Sequence, residues 1–277
     1  MTYKALYRWG MEKLQEAGIE EAALDARLLL EEICHTDRSY LLVHGDDPIE
    51  EQQEECYVNC IRRRAEHVPL QHILGYQEFM GLRFKVTPDV LIPRQDTETL
   101  VEEVMRYLHD GMHILDMCTG SGCILLSLLK YSNDCIGVGA DVSEKALTIA
   151  KENGESLELG ASWIQSNLFE NIEGKYEVIV SNPPYIPSGV IPTLMQEVKE
   201  HDPMLALDGK EDGLFFYREI VAQAKGYLHP GGMLFFEIGH DQAEAVSCLM
   251  KTAGYKEVTV CKDLARLDRV VSGIYGG

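Results

Sequence analysis

Apolar residues recur at three- and four-residue steps through the first quarter of the chain. They fall at Leu6, Trp9, Leu14 and Ala17, then Ala22, Ala26, Leu29, Leu30 and Ile33, then Val58, Ile61 and Ala65. This spacing gives each stretch one apolar helical face and predicts a small helical bundle over residues 1–72. Pro48 and the acids after it read as the start of the last of these helices. Over residues 73–93 the period drops to two: Leu82, Phe84 and Val86 alternate with polar positions, and Gly81 separates two short runs. A β-hairpin linking two domains is predicted there.

In residues 94–277 the two periods alternate. Asp96 and Thr97 form a plausible N-cap pair, and strand-like stretches at 113–117, 135–140, 162–165, 177–181 and 233–238 are interleaved with helix-like stretches at 121–131, 143–154, 213–226 and 241–253. The pattern predicts a parallel α/β sheet with helices on both faces. Two last strands, 257–261 and 269–274, have no helix between them and predict an antiparallel edge.

Composition narrows the function classes. The chain has 277 residues, 45% of them hydrophobic, enough for one large domain and a smaller companion. A net charge of -20 repels a phosphate backbone on average, which argues against stable nucleic-acid binding. Arg62, Arg63 and Arg64 form the one dense basic run and read as a solvated helix face. Eight cysteines without a CxxC pair point to reduced thiols in a cytosolic protein, and Cys56 and Cys60, one helical turn apart, to a structural role. With nine histidines but no HExxH spacing, no metal is expected. There is no basic-then-apolar leader and no run approaching a membrane span, so a cytoplasmic protein without membrane attachment is expected.

"HILDMCTGSGCILLSLLK" sets an apolar strand, an acid, a Gly-x-Gly turn and an apolar helix in succession, the order in which an α/β sheet builds a ligand crevice at its strand ends. By itself the segment fits a plain tight turn equally well. Leu125 stands where a dinucleotide fingerprint needs its third glycine, which disfavours NAD and FAD. Asp141 ends the next strand and is placed to accept hydrogen bonds from ribose hydroxyls. Asp116 beside the loop suits an ammonium or sulfonium rather than a pyrophosphate. S-adenosylmethionine combines ribose, ammonium and sulfonium.

"VIVSNPPYIPS" runs a buried-strand pattern straight into Asn182, two prolines and a tyrosine. Methyl transfer to nitrogen needs a lone pair aimed at the methyl carbon and stabilisation of the charge that develops. The Asn182 side-chain carbonyl and the Pro183 backbone carbonyl, stiffened by Pro184, can accept both hydrogens of a planar –NH2 group. Prolines add no competing N–H, and Tyr185 offers an aromatic wall. The amino groups of adenine and cytosine and the side-chain amide of glutamine all meet this description.

The chain resembles the HemK/PrmC release-factor glutamine methyltransferases in "GYQEFMGLRFKVTPDVLIPRQDTETLVE", "ILDMCTGSGCI", "GADVSEKALTIAKEN", "VIVSNPPYIP", "LALDGKEDGLFFYREI", "GGMLFFEIGHDQ" and "KDLARLDRVV". "NPPY" alone is shared with DNA amino-methyltransferases; with "VLIPRQDTE" the pattern is specific. The resemblance implies a class I, Rossmann-like methyltransferase domain with a seven-stranded sheet, an N-terminal helical domain that docks substrate, and methylation of the glutamine in the Gly-Gly-Gln motif of class 1 peptide chain release factors. It also implies that Cys118, Thr119, Gly120, Ser121, Gly122, Asp141, Phe169 and Asn182 contact S-adenosylmethionine, Phe169 lining the adenine pocket, and that Asn182, Pro183, Pro184 and Tyr185 hold the glutamine. A monomer is expected. The sequence departs from the family at Asp202, where Glu is frequent, at Lys210, where a second Gly is usual, and at Ala265 and Arg266, where a Gly is common. Other acceptors weighed are a ribosomal protein and DNA or RNA amino groups, and a non-catalytic S-adenosylmethionine-binding module is the alternative outside catalysis.

Overall fold

The computed structural model describes residues 1–277 and divides them into two units. The first comprises Met1–Gly75 with Met195–His201, the second Tyr76–Leu194 with Asp202–Gly277. No helix is long and apolar enough to cross a membrane.

The first unit contains the helices Tyr3–Glu16, Ala22–Cys34, Arg38–Val43, Glu51–Ala65, Leu70–Leu74 and Gln196–His201. Leu6, Leu14, Leu29, Leu30 and Ile61 fill its core, and the buried Tyr57 hydroxyl donates to the Ala26 carbonyl at 3.0 Å. The Thr2 side chain caps the first helix by accepting from the Ala5 N–H. Pro48 does not open a helix: it bridges Thr2, and the helix begins at Glu51. The solvated basic face expected at 62–64 also needs correction, because Arg64 is buried. Its guanidinium donates to Asp25 at 2.7 Å, to Glu197 at 2.6 Å and to the Val68 carbonyl at 3.2 Å. A planar five-donor group satisfied by two carboxylates and a carbonyl can be taken out of water where a lysine would not be.

The second unit holds nine strands: β1 Tyr76–Phe79, β2 Leu82–Lys85, β3 His113–Met117, β4 Ile136–Asp141, β5 Ser162–Gln165, β6 Tyr176–Ser181, β7 Leu228–Glu237, β8 Tyr255–Lys262 and β9 Asp268–Tyr275. β1 and β2 form the hairpin, whose Phe79 and Phe84 are buried with Leu100, Val104 and Ile114, so it packs as part of this unit. The other seven strands form one sheet in the order β5-β4-β3-β6-β7-β9-β8. β5 to β7 pair in parallel, and β9 runs antiparallel between β7 and β8, as the helix-free final pair predicts. This is the seven-stranded sheet that the resemblance implies. β6 is buried on both faces, so it reads as a continuous apolar run rather than an alternating one.

Strand order reverses between β3 and its neighbours β4 and β6, which opens a crevice at their carboxyl ends. The register sets Asp116 beside Val180 and Met117 beside Ser181, bringing the glycine loop and Asn182 to the same edge. Ser181 Oγ donates to the Met117 carbonyl at 2.6 Å and ties the two strand ends together.

Candidate active site

A cavity of about 430 Å³ lies at that edge. Its floor is the loop after β3, where Cys118, Gly120 and Gly122 all have positive φ. Three such residues in five turn the chain sharply into the Cys123–Tyr131 helix, whose first buried turn faces the cavity. A side chain at Gly122 would meet Trp163 and Ala150 at 3.0 and 3.1 Å, so the close approach also demands glycine.

Asp141 at the end of β4 lines the cavity and braces this loop. Its Oδ2 accepts from the Gly120 N–H and its Oδ1 from the Ser143 N–H, both at 2.9 Å. Burial pushes its pKa up, against the lowering by these backbone donors. Each oxygen keeps a lone pair for a further donor such as a ribose hydroxyl.

Asp116 stands elsewhere than a direct ligand would. It is fully buried beneath the loop, its Oδ2 accepts from Thr119 Oγ1 at 2.6 Å, and its Oδ1 has no hydrogen-bond partner. Burial first, then the Asp141 charge, pushes its pKa up to about 7, and the Thr119 hydrogen bond opposes the shift. Cys118 lines the cavity, but burial and the neighbouring carboxylates hold its thiol far above the range of a reactive thiolate.

Phe169 likewise sits behind the cavity wall. Its ring stacks on Tyr227 with centroids 4.7 Å apart, and the neighbours Ser166, Asn167 and Leu168 line the cavity. Leu168 and Val142 present apolar surface to the cavity beside this turn.

Of the Asn-Pro-Pro-Tyr turn, Asn182 and Pro184 line the cavity, Pro183 is buried and Tyr185 is half-buried. The Asn182 amide makes no side-chain hydrogen bond within the protein and is free to engage a ligand. The Glu237 carboxyl at the end of β7 is buried near Tyr185 and Thr97. The Thr97 side chain is buried and does not cap the Glu98–Met105 helix. Burial pushes Glu237 up to about 7, opposed by Thr97 and by the Arg269 charge.

Several contributors to the cavity carry no chemical signal in the sequence. The loop through Val90, Pro93 and Arg94 forms one wall of the cavity, and Phe215 and Phe216 form part of another. Asn153, buried within the Glu144–Ser156 helix, donates to the carbonyls of Ser121 and Lys85 and accepts from the Lys85 N–H, joining the hairpin to the glycine loop. A mid-helix asparagine carries no signal of this in the sequence. Asp202 is nearly buried and accepts from Arg94 at 2.5 Å, so this departure forms an ion pair at the cavity wall. The other two departures share a cause: Lys210 and Arg266 occupy the positive-φ conformation that suits glycine. Lys210 is compensated locally, since Asp208 accepts from its N–H and its Nζ at 2.9 and 3.1 Å.

The doubly braced Asp141, the glycine loop and the apolar Leu168 and Val142 surfaces together fit S-adenosylmethionine. No cluster of side chains suits a metal ion.

A PrmC N-terminal domain model matches residues 5–75, and a methyltransferase small domain model matches residues 95–201. The release factor glutamine methyltransferase of Geobacter sulfurreducens is 41% identical over 276 residues, covering 99% of this chain and 97% of its own. The protein of the same name from Clostridium acetobutylicum is 41% identical over 271 residues, covering 95% of each. Among solved structures, a methyltransferase from Pyrococcus furiosus shares the fold, with a TM-score of 0.55 at 18% identity over 71% of this chain and 90% of that one. Similarity along nearly the whole length, over a sheet whose strand ends gather the glycine loop and the Asn-Pro-Pro-Tyr turn, places this chain in the release factor glutamine methyltransferase family.

Proposed function

We propose that the enzyme methylates the side-chain nitrogen of the glutamine in the Gly-Gly-Gln motif of class 1 peptide chain release factors, with Asn182 as the principal acceptor-binding residue. The observation that carries this reading is the Asn182 amide, exposed to the cavity with its hydrogen-bonding groups uncommitted, at the same strand edge as the glycine loop. S-adenosylmethionine supplies an electrophilic methyl group when bound. The backbone of Cys118 to Gly122 and the Asp141 carboxylate hold it, and Asp116 keeps Thr119 and the loop in place from below.

Asn182 Oδ1 and the Pro183 carbonyl take the two hydrogens of the glutamine amide. That fixes the plane of the group and favours the positive charge that builds on nitrogen. Tyr185, half-buried beside Asn182, flanks the amide as an aromatic wall. The amide proton becomes acidic once the nitrogen is alkylated and passes to water, so no histidine or lysine base is required. The helical unit over residues 1–72 serves as the docking module for the release factor, and the unit that begins with the hairpin as the catalytic domain. The enzyme acts as a monomer in the cytoplasm, where its substrate works.

Purified protein and labelled S-adenosylmethionine, offered a release factor, a ribosomal protein and duplex DNA in parallel, test this. Label on the release factor alone, mapped to the Gly-Gly-Gln glutamine, is expected. Label on either other acceptor in preference overturns the reading.

A further inference from the structure

The Asn-Pro-Pro-Tyr turn poses a mechanical problem, because Pro183 and Pro184 bring no N–H with which to anchor it. The turn must nevertheless hold two carbonyls in place. The structure answers with a side chain remote in sequence. Gln242, only 8% exposed, directs its amide nitrogen at the Tyr185 carbonyl at 3.0 Å and at the Gly213 carbonyl at 3.3 Å. Its oxygen accepts from the Gly239 N–H at 3.0 Å, which fixes the orientation of the amide.

The loop it grips is shaped to reach it. Gly213 has φ +74°, and a side chain there would come within 2.3 Å of the Tyr185 oxygen and 2.8 Å of the Gln242 nitrogen. Gly209 packs equally hard on the Tyr185 backbone, and its N–H donates to the Ile186 carbonyl at 2.8 Å. One buried amide thus joins the turn after β6, the loop over Gly209–Gly213 and the start of the Ala243–Thr252 helix.

We propose that Gln242 is a positioning residue for methyl transfer: it touches neither reactant, and it holds the Asn182–Tyr185 turn in its productive shape through the Tyr185 carbonyl. This inference rests on the reading that the turn receives the acceptor amide. Without the amide donor, two buried carbonyls lose their partner and the turn relaxes to recover hydrogen bonds. A displacement of that kind reduces turnover more than binding.

Full-length wild type, Gln242→Met, Gln242→Glu and Asn182→Ala are compared for kcat and KM on a release factor, with S-adenosylmethionine affinity measured by calorimetry. Gln242→Met is expected to lower kcat on the order of 10- to 100-fold, with KM and cofactor affinity changed by less than about threefold. A kcat within about twofold of wild type overturns the proposal, as does a loss of cofactor affinity that matches the loss of rate. Gln242→Glu decides the matter where Gln242→Met fails to fold. Its protonated carboxyl keeps one donor and its ionised form keeps none, so its activity relative to wild type should climb as pH falls from about 8 to about 6. A ratio constant with pH counts against the role. A fully active Asn182→Ala would remove the receptor reading itself, whereas a fully active Gln242→Met beside an inactive Asn182→Ala removes only this inference.

Discussion

The two halves of the active site are built differently. The glycine loop is braced from within its own half of the sheet: Thr119 leans on Asp116 three residues before it, Gly120 donates to Asp141 on the adjacent strand, and Ser121 accepts from Asn153 in the helix that follows. The Asn-Pro-Pro-Tyr turn is braced from afar, by Gln242 and by the Gly209–Gly213 loop. A loop that binds a cofactor common to many enzymes can be a self-contained module. A receptor that must hold one amide in one plane needs partners from several elements, because each fixes a different degree of freedom.

Breaking the receptor should have the largest effect. Asn182→Ala is expected to lower kcat on a release factor by about 100- to 1,000-fold, as loss of a preorganised group acting on developing charge does. Calorimetry should find S-adenosylmethionine affinity far less affected. Breaking the module should show the opposite split: Asp141→Ala is expected to weaken cofactor affinity by roughly 10- to 100-fold through lost charge-assisted hydrogen bonds. If both variants lose affinity and turnover alike, the two halves are not separable.

The Asp116 carboxyl sharpens the module by its pH dependence. Its native pKa of about 7 lies above its ordinary value of 3.8. Between those values the folded chain retains a proton that the unfolded chain has released, so Asp116 makes folding less favourable as pH rises through this window. The effect levels off above about 7. Asp116→Asn does not titrate, so its stability relative to wild type should grow by about 2 kcal/mol between pH 5 and 6.5, measured by denaturant unfolding without cofactor. A difference independent of pH would mean that the carboxyl is ionised throughout. The smallest effect is expected at Phe169, whose ring stacks on Tyr227 behind the cavity. Phe169→Leu should cost about 1–2 kcal/mol of stability and leave cofactor affinity within about threefold. A tenfold loss of affinity would return the ring to the adenine pocket.

These sites also mark how far the sequence could be read. The glycine loop, Asp141 and Asn182 were legible because a strand followed by a turn puts its last residues at the sheet edge whatever surrounds them. The exchange of Phe169 for Leu168 as cavity lining was not, since adjacent residues differ only in which way the turn points them. Arg64 read as solvent-facing from its two basic neighbours, yet Asp25 and Glu197, 39 and 133 positions away, bury it. Lys210 and Arg266 looked like arbitrary departures until their positive φ showed that both stand where the backbone suits glycine.

Hydrophobic period and turn chemistry alone determined that this protein is a helical bundle, a hairpin and an α/β sheet whose strands end in ligand-binding chemistry, because those signals act over a few residues. Which side chains share a cavity, which lie buried behind it, and that Gln242 grips the Asn182–Tyr185 turn were decided only by the tertiary structure. Contacts across 57 residues depend on how the strands are ordered in the sheet, and no local pattern encodes that order.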